Sequence, residues 1–437
     1  MLSLIGLIGG LGLLIYLTMR GMSLFVATPL CALLVALTSG VPLLPPFAGA
    51  DGVNLVTQYM SGFTGFIASW FFIFLLGSLF GKLMESSGGA DSVSNFIISR
   101  LGRTRAALAV VMACAILTYG GVSLFVVAFS VYPMALALFR DANLPRRFIP
   151  ATLAFGSVTF TMTSAGSPEI QNWIPVEHLG TSPLAAWEAS LVVAIFMAVS
   201  GYFWLRWMLK RAVERGEVFE ERSDDPTSDR GDLPHPAVAT VPLLLVLGIS
   251  FTTHDQLGTS ALIVALLAGC IGAALINFRH LYKPGEALTE GGTGALIAIG
   301  NTAAVVGFGT VARVSPAFDA AVVWVTGMPG SGLVAAAVAV SAIAAMTGSA
   351  SGGQAIALPI LGPHYMDQGV DPDQLHRVVA ISSGALDSLP HNGYVVTTIR
   401  AICKETHAAA YAPMGALTVI IPVLGLLLCL GLFAVGF

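Results

Sequence analysis

Apolar runs of about 18 to 22 residues recur along the whole chain, separated by short polar or basic stretches. A run of that length covers a hydrocarbon core of roughly 30 Å at about 1.5 Å per helical residue, so the pattern predicts an all-α polytopic membrane protein of about ten spans. The first five spans are Leu2 to Met19, Leu24 to Thr38, Gly62 to Phe80, a run from Phe148, and Trp187 to Met208. The later ones are Pro236 to Phe251, Ser260 to Phe278, Gly291 to Ala312, His376 to Arg400 and Tyr411 to Phe433. Leu2 to Met19 lacks a basic start and a small-residue cleavage site, so it reads as a retained span.

Two apolar stretches do not fit as single spans. Ala106 to Phe139 is 34 residues long, with arginines at both ends. A straight helix of that length overshoots the bilayer, and its ends would lie on opposite sides, whereas short cytoplasmic loops retain the basic residues. A re-entrant hairpin entering from the cytoplasm resolves both problems, with its tip at Thr118-Tyr-Gly-Gly-Val-Ser123, where two glycines allow a tight turn. Leu333 to Pro363 is the second hairpin, with its tip at Thr347-Gly-Ser-Ala-Ser-Gly-Gly353. Acidic rather than basic flanks place its entry outside.

Two spans are interrupted. Thr163-Ser-Ala-Gly-Ser-Pro168 breaks the fourth, and Ser382 to Gly393 breaks the ninth. Three spans, a hairpin, a broken span and a last span thus occur twice. Five crossings is an odd number, so the halves have inverted topology, the plan of a secondary transporter. The divisions are residues 1–209, a charged linker at 210–235 and residues 236–437. Both termini fall outside, and an amphipathic stretch around Ser315 to Val325 also lies outside. Arg313 is the one basic residue on the wrong side of the scheme.

Composition agrees with the bilayer reading. Hydrophobic residues make up 56% and charged residues 10% of the chain, against about 25% charged in soluble proteins. Thirteen charges crowd between Lys210 and Asp232, a density that belongs in water. The net charge of -4 and the lack of a long basic tract argue against nucleic acid as a partner. Cys31, Cys114, Cys270, Cys403 and Cys429 form no CxxC pair and read as small buried hydrophobes. No phosphate-binding GxxxxGK[ST] loop, HExxH or GxSxG occurs, so ATP-driven pumping and the common hydrolytic enzymes are set aside, with no cofactor or catalytic residue expected.

Interrupted helices expose N-H and C=O groups inside the membrane, where they suit a carboxylate and a cation respectively. An anion can then be held without a buried Arg or Lys, and none is expected near mid-membrane. Asp387, Glu169 and His391 are the titratable groups expected there, which costs enough to imply function. Asp387 is the candidate carrier of a coupling proton or anchor for a cation, with His391 as its hydrogen-bond partner. Glu169, with Gln171 and Asn172, could instead be solvated at the outer end of its span. The remaining histidines, including His376, read as surface residues without metal-ligand spacing. Gly77 and Gly81, in GxxxG spacing, suit helix packing.

Gly348-Ser-Ala-Ser-Gly-Gly353 and Leu386-Asp-Ser-Leu-Pro-His-Asn-Gly393 resemble the gluconate permease (GntP) family of the ion transporter superfamily. The likeness extends over nearly the whole length, with Ser164 to Glu169 a looser match. The second motif looks most like the 3-hydroxybutyrate permease branch. The resemblance implies proton-coupled symport of a short hydroxycarboxylate, by an elevator motion of a homodimer in the cell's inner (plasma) membrane. It implies substrate-binding residues Gly120, Gly121 and Ser123 at the first tip, and Ser164, Gly166 and Ser167 in the first break. Gly348, Ser349, Ser351 and Gly352 would bind at the second tip, and Ser382, Ser383 and Asn392 in the second break. Asp387, His391 and Glu169 are the coupling candidates. Partners would be the organic anion and lipids. Sodium coupling of a mono- or dicarboxylate, with Na⁺ at the tips, and an ion channel are the alternatives.

Overall fold

The structure is a computed structural model, which describes residues 2–47, 49, 52–101, 105–222, 233–327 and 331–437. Arg103 and 223–232 of the expected linker lie outside the described residues. The described residues form helices and no strand.

The chain opens with α1 (Leu2–Met19), α2 (Leu24–Ser39) and the long α3 (Leu55–Ser86), which starts where Asn54 Oδ1 accepts the Thr57 N-H at 3.0 Å. The amphipathic α4 (Gly89–Leu101), which the apolar pattern does not predict, precedes a helical hairpin of α5 (Ala106–Tyr119) and α6 (Leu124–Asp141). The first broken span is α7 (Ile149–Ala154), a π-helical turn over Phe155–Thr159, an irregular stretch at 160–169, and α8 (Ile170–Leu179). The unbroken α9 (Trp187–Glu214) follows.

The second half begins with α10 (Pro236–Leu257), α11 (Ser260–Ile276), α12 (Pro284–Arg313) and α13 (Pro316–Thr326). A second hairpin is formed by α14 (Gly332–Thr347) and α15 (Ala350–Asp367). The second broken span is α16 (Pro372–Ala385), an irregular stretch at 386–392, and α17 (Gly393–Val396), extended by a π-helical turn to Ile402. The chain closes with α18 (His407–Gly415), a π-helical turn and α19 (Ile421–Ala434).

Five helices are long and apolar enough to cross a membrane by length and composition, at Leu55–Ser86, Trp187–Glu214, Pro236–Thr253, Pro284–Arg313 and His407–Ala434. Shorter apolar helices include most of α1, α2 and α11. One outward stripe of α9 is continuously apolar, with Leu191, Ile195, Val199, Phe203 and Trp207 all exposed. Exposed residues at four-residue spacing make a lipid-facing stripe.

α3 and α12 pack closely because small residues let their backbones approach. A Cβ on Gly62 would meet Thr310 and the Val306 carbonyl, and the Ser78 hydroxyl reaches the Gly291 carbonyl at 2.8 Å. Around them, α1, α2, α10 and α11 complete one group of helices. The hairpins and broken spans form the other, and where the groups meet, glycine faces aliphatic side chains. Gly81 abuts Val126, and Gly309 abuts Ile356. Gly77, by contrast, faces open space, so only one of the GxxxG pair serves close packing. All five cysteines are buried and free.

The charged segment after α9 is tied down as far as it is described. Arg147 bonds both Glu217 oxygens at 2.6 and 2.8 Å, and Phe219 lies under the guanidinium of Arg146. Glu405 receives Arg146 at 3.1 Å and Arg222 at 3.0 Å.

Candidate functional site

The second tip is tighter than the glycine and serine content suggests. Gly348 takes a left-handed conformation, φ 58°, to end α14, and Ser349 alone separates it from α15. The Ser349 hydroxyl accepts the Gly352 N-H at 3.1 Å, a serine cap that draws Ala350 through Gly353 into the helix. Ser351 is buried, 3.4 Å from the Ser349 hydroxyl.

The second break lies against this tip. Asn392 caps α17 by accepting the Val395 N-H at 2.9 Å and donates through Nδ2 to the Gly348 carbonyl, also at 2.9 Å. A Cβ on Gly348 would fall 2.7 Å from the His391 ring. The Asp387 carboxylate is 5% exposed, takes the Ser388 hydroxyl at 2.8 Å and faces the Ala350 amide in the first turn of α15. Gly348, Ser349, Ser351, Gly352, Asp387, His391 and Asn392 are therefore brought together. His391 is not the hydrogen-bond partner expected for Asp387. It is 3% exposed, and neither ring nitrogen has a well-formed hydrogen bond among the described residues.

Ser382 and Ser383 lie in helix rather than in the break. Their hydroxyls donate to the Val379 and Ala380 carbonyls at 3.1 and 2.8 Å, which keeps α16 regular to Ala385. The irregular stretch is correspondingly shorter than Ser382 to Gly393.

The first tip meets the first break, where the Tyr119 hydroxyl donates to the Ala165 carbonyl. Gly121 turns the chain with φ 93°, but the open faces of Gly120 and Gly121 abut Leu243 and Val246 of α10. Ser123 sits at the start of α6 and makes no capping bond.

In the first break the backbone is almost fully tied. The Ser164 hydroxyl bonds the Phe160 carbonyl at 2.6 Å, and the Gly166 N-H bonds the Pro183 carbonyl at 2.9 Å. The Ser167 carbonyl accepts from Asn172 Nδ2 and Trp173 Nε1, both at 3.1 Å. Glu169 is half-buried at the start of α8, where a carboxylate complements the helix dipole. Gln171 and Asn172 are not solvated, being 7% and 0% exposed.

Two residues of α16 overturn the expectation of no buried cation and a surface histidine. Arg377 is fully buried, and it donates to the Thr163 carbonyl at 2.6 Å and twice to the Ala185 carbonyl at 3.2 and 3.0 Å. His376 is also fully buried, bridging Thr181 at 2.6 Å and Asn172 at 3.2 Å. The titratable groups around the two breaks thus include a guanidinium and a second imidazole besides Asp387, Glu169 and His391. The helices that flank the breaks add further links, where Gly384 of α16 packs on Thr163 of the first break and where Gln354 of α15 reaches the Gln171 carbonyl of α8. On the other side, Tyr394 bonds Ser157 at 3.0 Å and packs edge-on against Phe125, two residues past the first tip.

Sequence reasoning missed Arg377, His376, Gln354 and Tyr394 as members of this network. A polar Gln directly after the Thr347 to Gly353 tip motif, inside an apolar run, was the available signal for Gln354.

Long apolar helices, lipid-type outer faces and two interrupted helices meeting two hairpins define a multi-pass membrane transporter. The profile described as GntP family permease matches residues 2–257. The chain is 35% identical to the uncharacterized transporter YxjC of Bacillus subtilis, covering 96% of each protein. It is 28% identical to the inner membrane permease YgbN of Escherichia coli, over 58% of each. The chain belongs to the GntP permease family. Among solved structures, the Alcanivorax borkumensis YdaH transporter is similar in fold, with a TM-score of 0.58 and 16% identity, over 94% of this chain and 98% of that one.

Proposed function

We propose that this permease is a secondary transporter that couples a proton to a short hydroxycarboxylate, with 3-hydroxybutyrate first and a gluconate-type sugar acid next. The observation that carries the reading is the meeting of the α15 N-terminus with Asp387 and His391. Free N-H groups and the helix dipole favour a carboxylate there. The Asp387 carboxylate faces the same amide, so an ionised Asp387 and a substrate carboxylate compete for one place. A proton on Asp387 removes the repulsion, and anion and proton then bind together. Arg377, buried with its donors on carbonyls, adds positive charge beside the first break.

The hairpins and broken spans, cross-linked through Arg377, His376 and Gln354, are the unit that moves in an elevator fashion. The α3 and α12 group is the scaffold and supplies a homodimer contact. Glycine against aliphatic chains at Gly81 and Gly309 suits a sliding boundary. Inverted repeats at residues 1–209 and 236–437, with both termini outside the inner membrane, complete the reading. The name of the E. coli relative supports that membrane.

The test is uptake of labelled 3-hydroxybutyrate into proteoliposomes with an inward proton gradient, in Na⁺ and in choline. Gradient-driven uptake in choline supports the reading. Uptake that requires Na⁺ and ignores the pH gradient contradicts it.

A further inference from the structure

Gln354 lies on α15 one turn beyond Ala350 and is fully buried. Its Nε2 donates to the Gln171 carbonyl at 2.9 Å and to the Ser383 hydroxyl at 3.0 Å. A backbone carbonyl can only accept, and the Ser383 hydroxyl is already donating to Ala380, so the nitrogen must point this way and the oxygen the other. Gln354 Oε1 then has no donor among the described residues. Neither has Gln171 Oε1, on the first turn of α8 just past the first break. Buried polar atoms rarely stay unpaired, so two orphaned amide ends, on residues joined where the Gln354 side chain meets the Gln171 backbone carbonyl, point to a missing partner.

The position of the pair says which partner. Ala350 faces Asp387 and Gln354 holds Ser383, two rungs four residues apart both on α15, where that is about 6 Å, and along the chain that runs from α16 into the second break. Gln354, which carries one of the orphaned oxygens, therefore leaves α15 about one helical turn from the place given to the substrate carboxylate. An ionised carboxylate has no donor to give them. A hydroxyl carries one proton and two lone pairs, so it can donate to Gln354 Oε1, whose orientation is fixed, and accept from the Gln171 amide turned to present its nitrogen, whereas a buried ammonium would call for a charged partner.

We infer that Gln171 and Gln354 form a subsite that accepts the hydroxyl of the transported acid and so sets the preference for hydroxylated over plain short carboxylates. The inference rests on the proposed carboxylate place at the start of α15.

The experiment is equilibrium binding of labelled 3-hydroxybutyrate to the purified full-length protein, with butyrate and 3-aminobutyrate as competitors, in Na⁺ and in choline. The wild type should prefer 3-hydroxybutyrate over butyrate by at least about tenfold. In Gln171→Leu and Gln354→Leu that ratio should fall toward one, with butyrate affinity nearly unchanged, which also reports an intact fold. Gln354 carries structural bonds as well, so if its variant does not fold, Gln171→Leu decides. A ratio near one in the wild type, a ratio that survives Gln171→Leu, or a preference for 3-aminobutyrate overturns the inference while leaving the carboxylate place standing. Loss of a Na⁺ dependence in the variants with the ratio intact also overturns it, making the oxygens cation ligands. Failure of both acids to bind removes the carboxylate place and this subsite together.

Discussion

The guanidinium of Arg377, on the helix leading into the second break, donates to the carbonyl of Thr163 in the first break at 2.6 Å. The two residues are more than 200 positions apart, and neither break has a regular helix to hold its shape. Arg377 also spans to Ala185, so one side chain ties the first interruption to the turn between α8 and α9.

Arg377→Lys should therefore cost more than a charge-conserving change usually does. A lysine keeps the charge but gathers its donors on one nitrogen and cannot reproduce the three bonds that the guanidinium spreads over two carbonyls, and each lost bond to a buried charged group is worth about 1.5–3 kcal/mol. The expected outcome is a melting temperature well below wild type and uptake reduced at least about tenfold, read by thermal unfolding of purified protein and by proteoliposome flux. Unchanged stability would show that the clamp is dispensable.

At the second tip, Gly348→Ala places a Cβ 2.7 Å from the His391 ring and asks an L-residue to hold φ 58°. The backbone strain alone is about 1–2 kcal/mol. Substrate affinity should fall more than global stability does, because the displaced ring belongs to the site. Binding and melting measured on the same preparation check this, and equal losses in the two would assign Gly348 to folding alone.

The charged strap after α9 gives a pH dependence outside the membrane. Hydrogen bonding from Arg147 holds the Glu217 carboxyl below its ordinary value of 4.5. A carboxyl lowered in the folded state stabilises the fold above its unfolded pKa, and that contribution is lost as pH falls through the folded one. The melting-temperature gap between wild type and Glu217→Gln should persist from neutrality to about pH 5 and close at lower pH. This pair is partly exposed, so the gap corresponds to at most about 1 kcal/mol.

Long apolar helices were legible because their signal is length and composition. Leu2–Met19 is a helix over the bounds that the apolar run sets, and Ala106 to Phe139 folds back at the two glycines. The breaks were legible in place but not in extent. Serine was read as a helix breaker, yet Ser349 caps α15 and Ser382 and Ser383 satisfy their hydroxyls on their own helix. The amphipathic α4 lacked the apolar signal altogether. Arg377 and His376 were hidden for a different reason. At the start of an expected span they resemble residues that reach for water, and the groups that bury them, Thr163, Ala185, Thr181 and Asn172, come from the other half of the chain.

The central claim is that a substrate anion and a proton on Asp387 enter together at the start of α15. Calorimetric titration of 3-hydroxybutyrate into purified protein near pH 8, repeated in buffers of different ionisation enthalpy, counts the protons taken up per anion bound. The account predicts a net uptake approaching one proton for the wild type, and binding without proton uptake for Asp387→Asn. Binding to the wild type with no proton uptake, or the same uptake in Asp387→Asn, would contradict it.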